Sequence, residues 1–98
     1  HYDSTMGAVL AITRSLCREV GDDGIRVNCI APGSTMSENV RKRTNWMGSG
    51  AAVQYASRMI KREELPEDLV GAVIYLSSAE SDFVTGQTLL IDGGVSTH

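Results

Sequence analysis

The sequence predicts an α/β chain with parallel strands, and three observations carry that expectation. Two short apolar runs, at 25–30 and 88–91, are each stopped by turn residues: Ala31-Pro32-Gly33 and Asp92-Gly93-Gly94. Two stretches with helical spacing, at 4–20 and 65–78, alternate with them. The order is therefore helix, strand, excursion, helix, strand, and residues 25–92 form one βαβ unit with a right-handed crossover.

The first helix is marked by Met6, Val9, Leu10, Thr13, Leu16, Cys17 and Val20, which share one face. Ser4 or Thr5 is suited to cap its start. Gly7, Ala8, Ala11 and Ile12 form a second, small apolar face, so the helix is expected to pack on two sides. Gly21 and the Asp22-Asp23-Gly24 turn end it.

In the first strand, Ile25, Val27 and Cys29 share one side, while Arg26, Asn28 and Ile30 share the other. Proline removes a backbone donor and glycine frees φ, so the strand is expected to stop at Ala31-Pro32-Gly33. The connection over 34–64 is loosely patterned. Short helices are expected at 38–43 and 51–60, separated by a flexible Gly48-Ser49-Gly50. Leu65-Pro66-Glu67-Asp68 starts the second helix, because proline suits its first turn and the acids suit its positive end. Leu69, Val70, Val73, Ile74 and Leu76 form the apolar face of that helix. The last strand, 88–91, ends in Asp92-Gly93-Gly94.

Two strands do not make a stable sheet alone. The 98 residues are thus expected to be the C-terminal part, 1–98, of a single doubly wound domain. In such sheets ligands bind outside the carboxyl ends of strands. That points to the turn after the first strand, where hydroxyl residues Ser34, Thr35 and Ser37 follow Gly33.

A net charge of −3 argues against a nucleic-acid partner. No apolar run approaches the ~18 residues of a membrane span. Hydrophobic residues make up 42% and charged residues 21%, which excludes a disordered chain. Cys17 and Cys29 sit in apolar patterns without CxxC spacing, so two buried thiols in a reducing, cytoplasmic compartment are expected. Neither histidine has a ligand-like partner, and no metal is assigned.

Four pieces in order resemble the C-terminal half of a short-chain dehydrogenase/reductase. They are Tyr2 opening a helix, GIRVNCIAPG at 24–33, PEDLVGAVIYLSS at 66–78 and TGQTLLIDGG at 85–94. The resemblance implies a Rossmann-type sheet, NAD or NADP as cofactor, and hydride transfer to or from a small carbonyl or alcohol substrate. It implies that Tyr2 is the general acid, and that Pro32, Gly33, Ser34, Thr35 and Ser37 lie beside the nicotinamide. It makes 34–64 a substrate lid, with Met36, Trp46 and Met47 lining an apolar pocket or packing the lid onto the body. Asn28 is implied to be structural. The TGQ and DGG segments are implied to mark positions near subunit contacts.

The chain departs from that family at residue 6. The family places a lysine four residues after the tyrosine, where it holds the nicotinamide ribose and lowers the tyrosine pKa. Here the residue is Met6, and the lysines, Lys42 and Lys61, follow no tyrosine at that distance. The glycine-rich phosphate loop of the family is not among these residues either. Two readings follow: an oxidoreductase seen through its C-terminal half, or a non-catalytic reductase-like module that binds a partner or itself. The open sheet edge beside 25–30 favours self-association in both, and a homo-oligomer is expected.

Overall fold

A computed structural model of the chain describes residues 2–33 and 57–95, with Tyr2 and Asp3 described in their backbone alone. Among the described residues the α-helices and strands are, in order, α1 (Tyr2–Val20), β1 (Cys29–Pro32), α2 (Val70–Ser77) and β2 (Thr88–Ile91). The strands pair in a two-stranded sheet. The Cys29 amide donates to Gln87 O at 2.9 Å and the Gly33 amide to Ile91 O at 2.8 Å. Both partners advance together along the chain, so the strands are parallel, as expected. The short helices expected at 38–43 and 51–60 lie outside the described residues, apart from the last four positions of the second.

The chain divides into two compact units, residues 1–30 with 72–89, and residues 31–71 with 90–98. The first unit holds α1, most of α2 and the turn before β2. Helix α1 starts at Tyr2, so Ser4 and Thr5 lie within it rather than cap it. Neither Tyr2 nor Asp3 breaks a helix, and nothing local halts it at residue 4. Thr13, on the expected apolar face, is buried, and its hydroxyl donates to Val9 O at 2.8 Å. That bond satisfies a hydroxyl which would otherwise be costly to bury. The second face does not pack: Gly7, Ala8, Ala11 and Ile12 are all exposed. The helix runs into a 3₁₀ turn, Gly21–Asp23, which closes at Gly24 with φ 75°. The left-handed conformation there is one that glycine adopts without penalty.

Strand β1 is displaced from the expected 25–30. Residues 25–28 lie beside a turn rather than a strand, and side chains replace the ladder. Thr85 Oγ1 accepts from the Val27 amide at 3.0 Å. The Asn28 side chain donates to Val84 O and accepts from the Gln87 amide, at 3.0 and 3.1 Å. Asn28 is thus the structural residue it was expected to be. Gly86, at φ 72°, donates to Val27 O at 2.8 Å, and a Cβ there would lie 2.7 Å from Cys17 Sγ. The TGQ segment therefore joins the stretch before β1 to the start of β2. Cys17 and Cys29 are free thiols, the first half-buried and the second buried.

Arg26 closes this unit. Its Nη1 donates to Leu76 O, Ser81 O and Ser81 Oγ at 3.2, 2.8 and 2.7 Å, and Nη2 donates to Ser78 O at 3.2 Å. The guanidinium satisfies carbonyls at the C-terminal end of α2, where a cation also suits the helix dipole. Ser81 is fully buried beneath it. The expected apolar face of α2 is only partly covered: Leu76 is half-buried, whereas Val73 and Ile74 are exposed.

Candidate functional site

The second unit contains the ends of both strands, where a ligand of an open α/β sheet is expected. β1 ends at Pro32. The amides of residues 29 and 33 point toward β2, so position 32 faces the other way and its missing donor costs this ladder nothing. Gly33 is required by space. A Cβ there would lie 2.9 Å from Glu64 Oε1, 3.0 Å from Asp92 Cβ and 3.1 Å from Asp92 Cα. The last of these is backbone and cannot swing aside.

After β2 the chain turns through Asp92-Gly93-Gly94. Gly93 and Gly94 have φ of 68° and 90°, and the Gly94 amide donates to Asp92 Oδ1 at 3.0 Å. This turn anchors the returning leg of the excursion, residues 58–64. Gly93 O accepts from the amides of Met59 and Ile60 at 2.8 and 2.9 Å. Arg58 is buried along the leg and donates from Nη1 to Arg62 O at 2.6 Å. The DGG segment thus has an internal role in holding the leg at the strand ends.

The leg passes into a 3₁₀ turn, Pro66–Leu69, and then α2. The expected proline start is present, but its first turn is tighter than an α-helix. Asp68 reaches back to accept from the Leu65 amide at 2.8 Å, while its own amide donates to Leu65 O at 2.9 Å. Arg62 grips the same carboxylate in a two-pronged pair, at 2.7 and 2.8 Å. Hydrogen bonds from Arg62 and from the Leu65 amide hold the Asp68 carboxyl well below the usual carboxylate range. The Arg62 guanidinium is raised by the same pairing.

A cleft of about 230 Å³ lies along the leg, lined by Ile60, Arg62, Glu63, Glu64, Asp68 and Ile91 among others. Glu64 is its unusual member. It is only 6% exposed, and neither carboxyl oxygen has a hydrogen-bond partner. Burial raises its pKa above the ordinary 4.5, with Arg58 and the Gly33 amide acting in opposition. The Gly33 amide lies near enough to favour the carboxylate, but its hydrogen bond is made to Ile91 O.

Of the residues singled out from sequence, Pro32 and Gly33 lie at the end of β1, as expected. Tyr2 is the first residue of α1, and half-buried Met6 follows one turn later on the same helix. Ser34, Thr35, Met36, Ser37, Trp46 and Met47 lie outside the described residues. Glu64 and Arg58 were missed. Lys61-Arg62-Glu63-Glu64 reads as a solvated charge run, and no periodicity separates its buried member from its exposed ones. Among the described residues no helix is long and apolar enough to cross a membrane, and no cluster of three or more His, Cys, Asp or Glu is placed to hold a metal.

Comparison with known proteins places this geometry in context. The family model described as enoyl-(acyl carrier protein) reductase matches residues 1–96. The chain is 34% identical over 96 residues to a cyclohexanol dehydrogenase of Rhodococcus sp. (strain TK6), covering 98% of the chain and 35% of that protein. It is 33% identical over 101 residues to a 3-oxoacyl-[acyl-carrier-protein] reductase of Chlamydia trachomatis serovar D, covering 98% and 38%. The solved structure of a 4-hydroxyisoleucine dehydrogenase complexed with NADH superposes with a TM-score of 0.88 at 27% identity, covering 97% of this chain and 39% of that one. The chain thus spans little more than a third of the length of the proteins it matches.

Proposed function

The chain belongs to the short-chain dehydrogenase/reductase family, and from that membership we propose that the protein is an NAD(P)-dependent oxidoreductase acting on a small carbonyl or alcohol. The observation that carries this reading is the match along nearly the whole chain, joined to a strand end built as a ligand-binding α/β sheet requires. Residues 1–98 are then the C-terminal part of one dinucleotide-binding domain, with 34–64 as its substrate lid.

The residues present fit the nicotinamide side of such a site. Gly33 is locked by Ile91, and the hydroxyl-bearing Ser34, Thr35 and Ser37 follow it directly, a donor and acceptor set that suits a carboxamide. When bound, the cofactor supplies or accepts the hydride. Tyr2 delivers the proton to the carbonyl oxygen on reduction and removes it on oxidation. Met36, Trp46 and Met47 cover the apolar part of the substrate and exclude water. The free thiols of Cys17 and Cys29 suit the cytoplasm.

The test is calorimetric titration of the protein with NADH and NADPH, followed by turnover of a panel of ketones and alcohols at the nicotinamide absorbance. Binding with turnover is expected, and absence of binding overturns the reading. Met6 favours a second reading, a non-catalytic module, for which the same titration gives binding or none and turnover is absent with every substrate.

The protein also self-associates in this reading. Ile12, Val73 and Ile74 are more than half exposed, and burying such surface is the usual drive to assembly. Light scattering at micromolar concentration is expected to give a dimer or larger species, and a monomer would overturn the assignment.

A further inference from the structure

Arg58 and Glu64 are the buried charged side chains among the described residues, at 3% and 6% exposure. Arg62 and Asp68 neutralise each other at the surface, and Arg58 bonds along its own leg. Glu64 alone places a carboxyl in the interior, with both oxygens buried and lacking a hydrogen-bond partner. An ionised carboxylate in that setting costs far more than the neutral acid.

Its position makes the protonation state consequential. Glu64 Oε1 occupies the space where a Cβ of residue 33 would stand, so the carboxyl packs directly on the backbone of the turn after β1. The same leg is tied to the turn after β2 through Gly93 O. Glu64 therefore sits between the end of the excursion and the strand end at which the ligand is expected.

We propose that Glu64 is a positioning residue for the Gly33 turn and that the seat it provides depends on whether its carboxyl is protonated. Protonated, it seats leg 58–64 against the turn, and ionisation loosens that seat. The groups that face it come from each neighbouring segment: Arg58 and Arg62 from its own leg, Asp68 from the 3₁₀ turn, Asp92 from the turn after β2, and the Gly33 amide from the end of β1. Arg58 and the Gly33 amide favour the carboxylate, whereas Asp68 and Asp92 favour the neutral acid. Burial is the largest influence and makes the net shift upward.

The sign of the pH dependence follows. A folded pKa above 4.5 means that, between these two values, the folded state holds a proton the unfolded state has lost. Stability falls as pH rises through that window, and the loss is complete above the folded pKa. Below 4.5 the loss is absent. Glu64→Gln keeps the shape and cannot ionise, so it escapes this loss.

Two readouts on the full chain test the proposal without cofactor. By NMR, the Glu64 carboxyl carbon and the Gly33 amide are expected to titrate together, with one midpoint above 4.5. By thermal unfolding, E64Q and the native chain are expected to coincide at low pH and to separate as pH rises toward 8, with E64Q the higher-melting. An ordinary midpoint, a Gly33 amide that ignores the titration, or parallel melting curves would each overturn the proposal. If E64Q does not fold, the NMR titration of the native chain decides. NADH affinity against pH, measured separately, tests the oxidoreductase reading on which only the consequence for cofactor rests.

Discussion

On the proposed oxidoreductase reading with Tyr2 as general acid, replacing Met6 with lysine is expected to raise the hydride-transfer rate about 10²-fold, the usual scale of one general acid–base contribution. Residues four apart on a helix are neighbours on one face, so position 6 follows Tyr2 by one turn of α1. An unassisted tyrosine has a pKa of ~10, so only about one part in a thousand is ionised at neutral pH. A lysine ammonium at position 6 would favour the phenolate and bring the pKa of Tyr2 toward the working pH. The methionine thioether carries no charge and is a weak acceptor, so it does neither. Met6 is half-buried on α1, which leaves a lysine room to run its stem along the apolar face and keep its charge at the edge. The measurement is kcat against pH for both proteins. The lysine variant is expected to gain rate and to shift its basic limb to lower pH. An unchanged rate and profile would remove Met6 from the account of the site.

Replacing Arg26 with alanine is expected to destabilise the chain by about 3 kcal/mol, at the upper end of ordinary single substitutions. The guanidinium donates to four acceptors, three of them carbonyls in the last turn of α2 and the segment after it. Alanine would remove the donor to the Ser81 hydroxyl oxygen, in a side chain that is fully buried, leaving that hydroxyl its bond to Ser78 O and the Ser81 carbonyl its bond from the Val84 amide. Leaving a buried acceptor unpaired costs more than a typical hydrogen bond contributes. Lysine is expected to recover little, because one ammonium cannot reproduce a planar fork that reaches residues 76, 78 and 81 at once. Urea unfolding checks this: the midpoint should fall with the slope unchanged. A loss below about 1 kcal/mol would show that these carbonyls find other partners.

These two substitutions differ in how far sequence alone reaches. Met6 is legible because helical spacing is a local property, and periodicity over 4–20 puts it on a helix whatever surrounds it; Tyr2, two residues before that stretch, is placed on the same helix by the family resemblance and by the structure. The alternation of elements, the proline start at Pro66 and the limits of the last strand, Thr88–Ile91, are legible for the same reason. Arg26 carries no such signal. Its partners lie some fifty residues away, and nothing near it in the chain distinguishes it from a solvated strand residue.

The displacement of β1 to Cys29–Pro32 has a similar cause. Apolar alternation starts at Ile25, but a ladder needs a partner strand, and residues 25–28 face the Thr85-Gly86-Gln87 turn instead. Hydroxyl and amide side chains take over the pairing there. Gly33 was legible as a glycine that ends a strand, though not for its true constraint, the backbone of Asp92 and the carboxyl of Glu64.

The amino-acid sequence thus determined by itself the α/β class, the order of the described elements and the family, because each rests on local spacing and short motifs. Only the tertiary structure decided which charges are buried. Lys61, Arg62, Glu63 and Glu64 are equivalent in a one-dimensional pattern. The packing of leg 58–64 onto the strand ends leaves Lys61 and Arg62 in solvent and encloses Glu64 against Gly33. Burial is a property of what surrounds a residue, and here those surroundings come from segments distant in the chain.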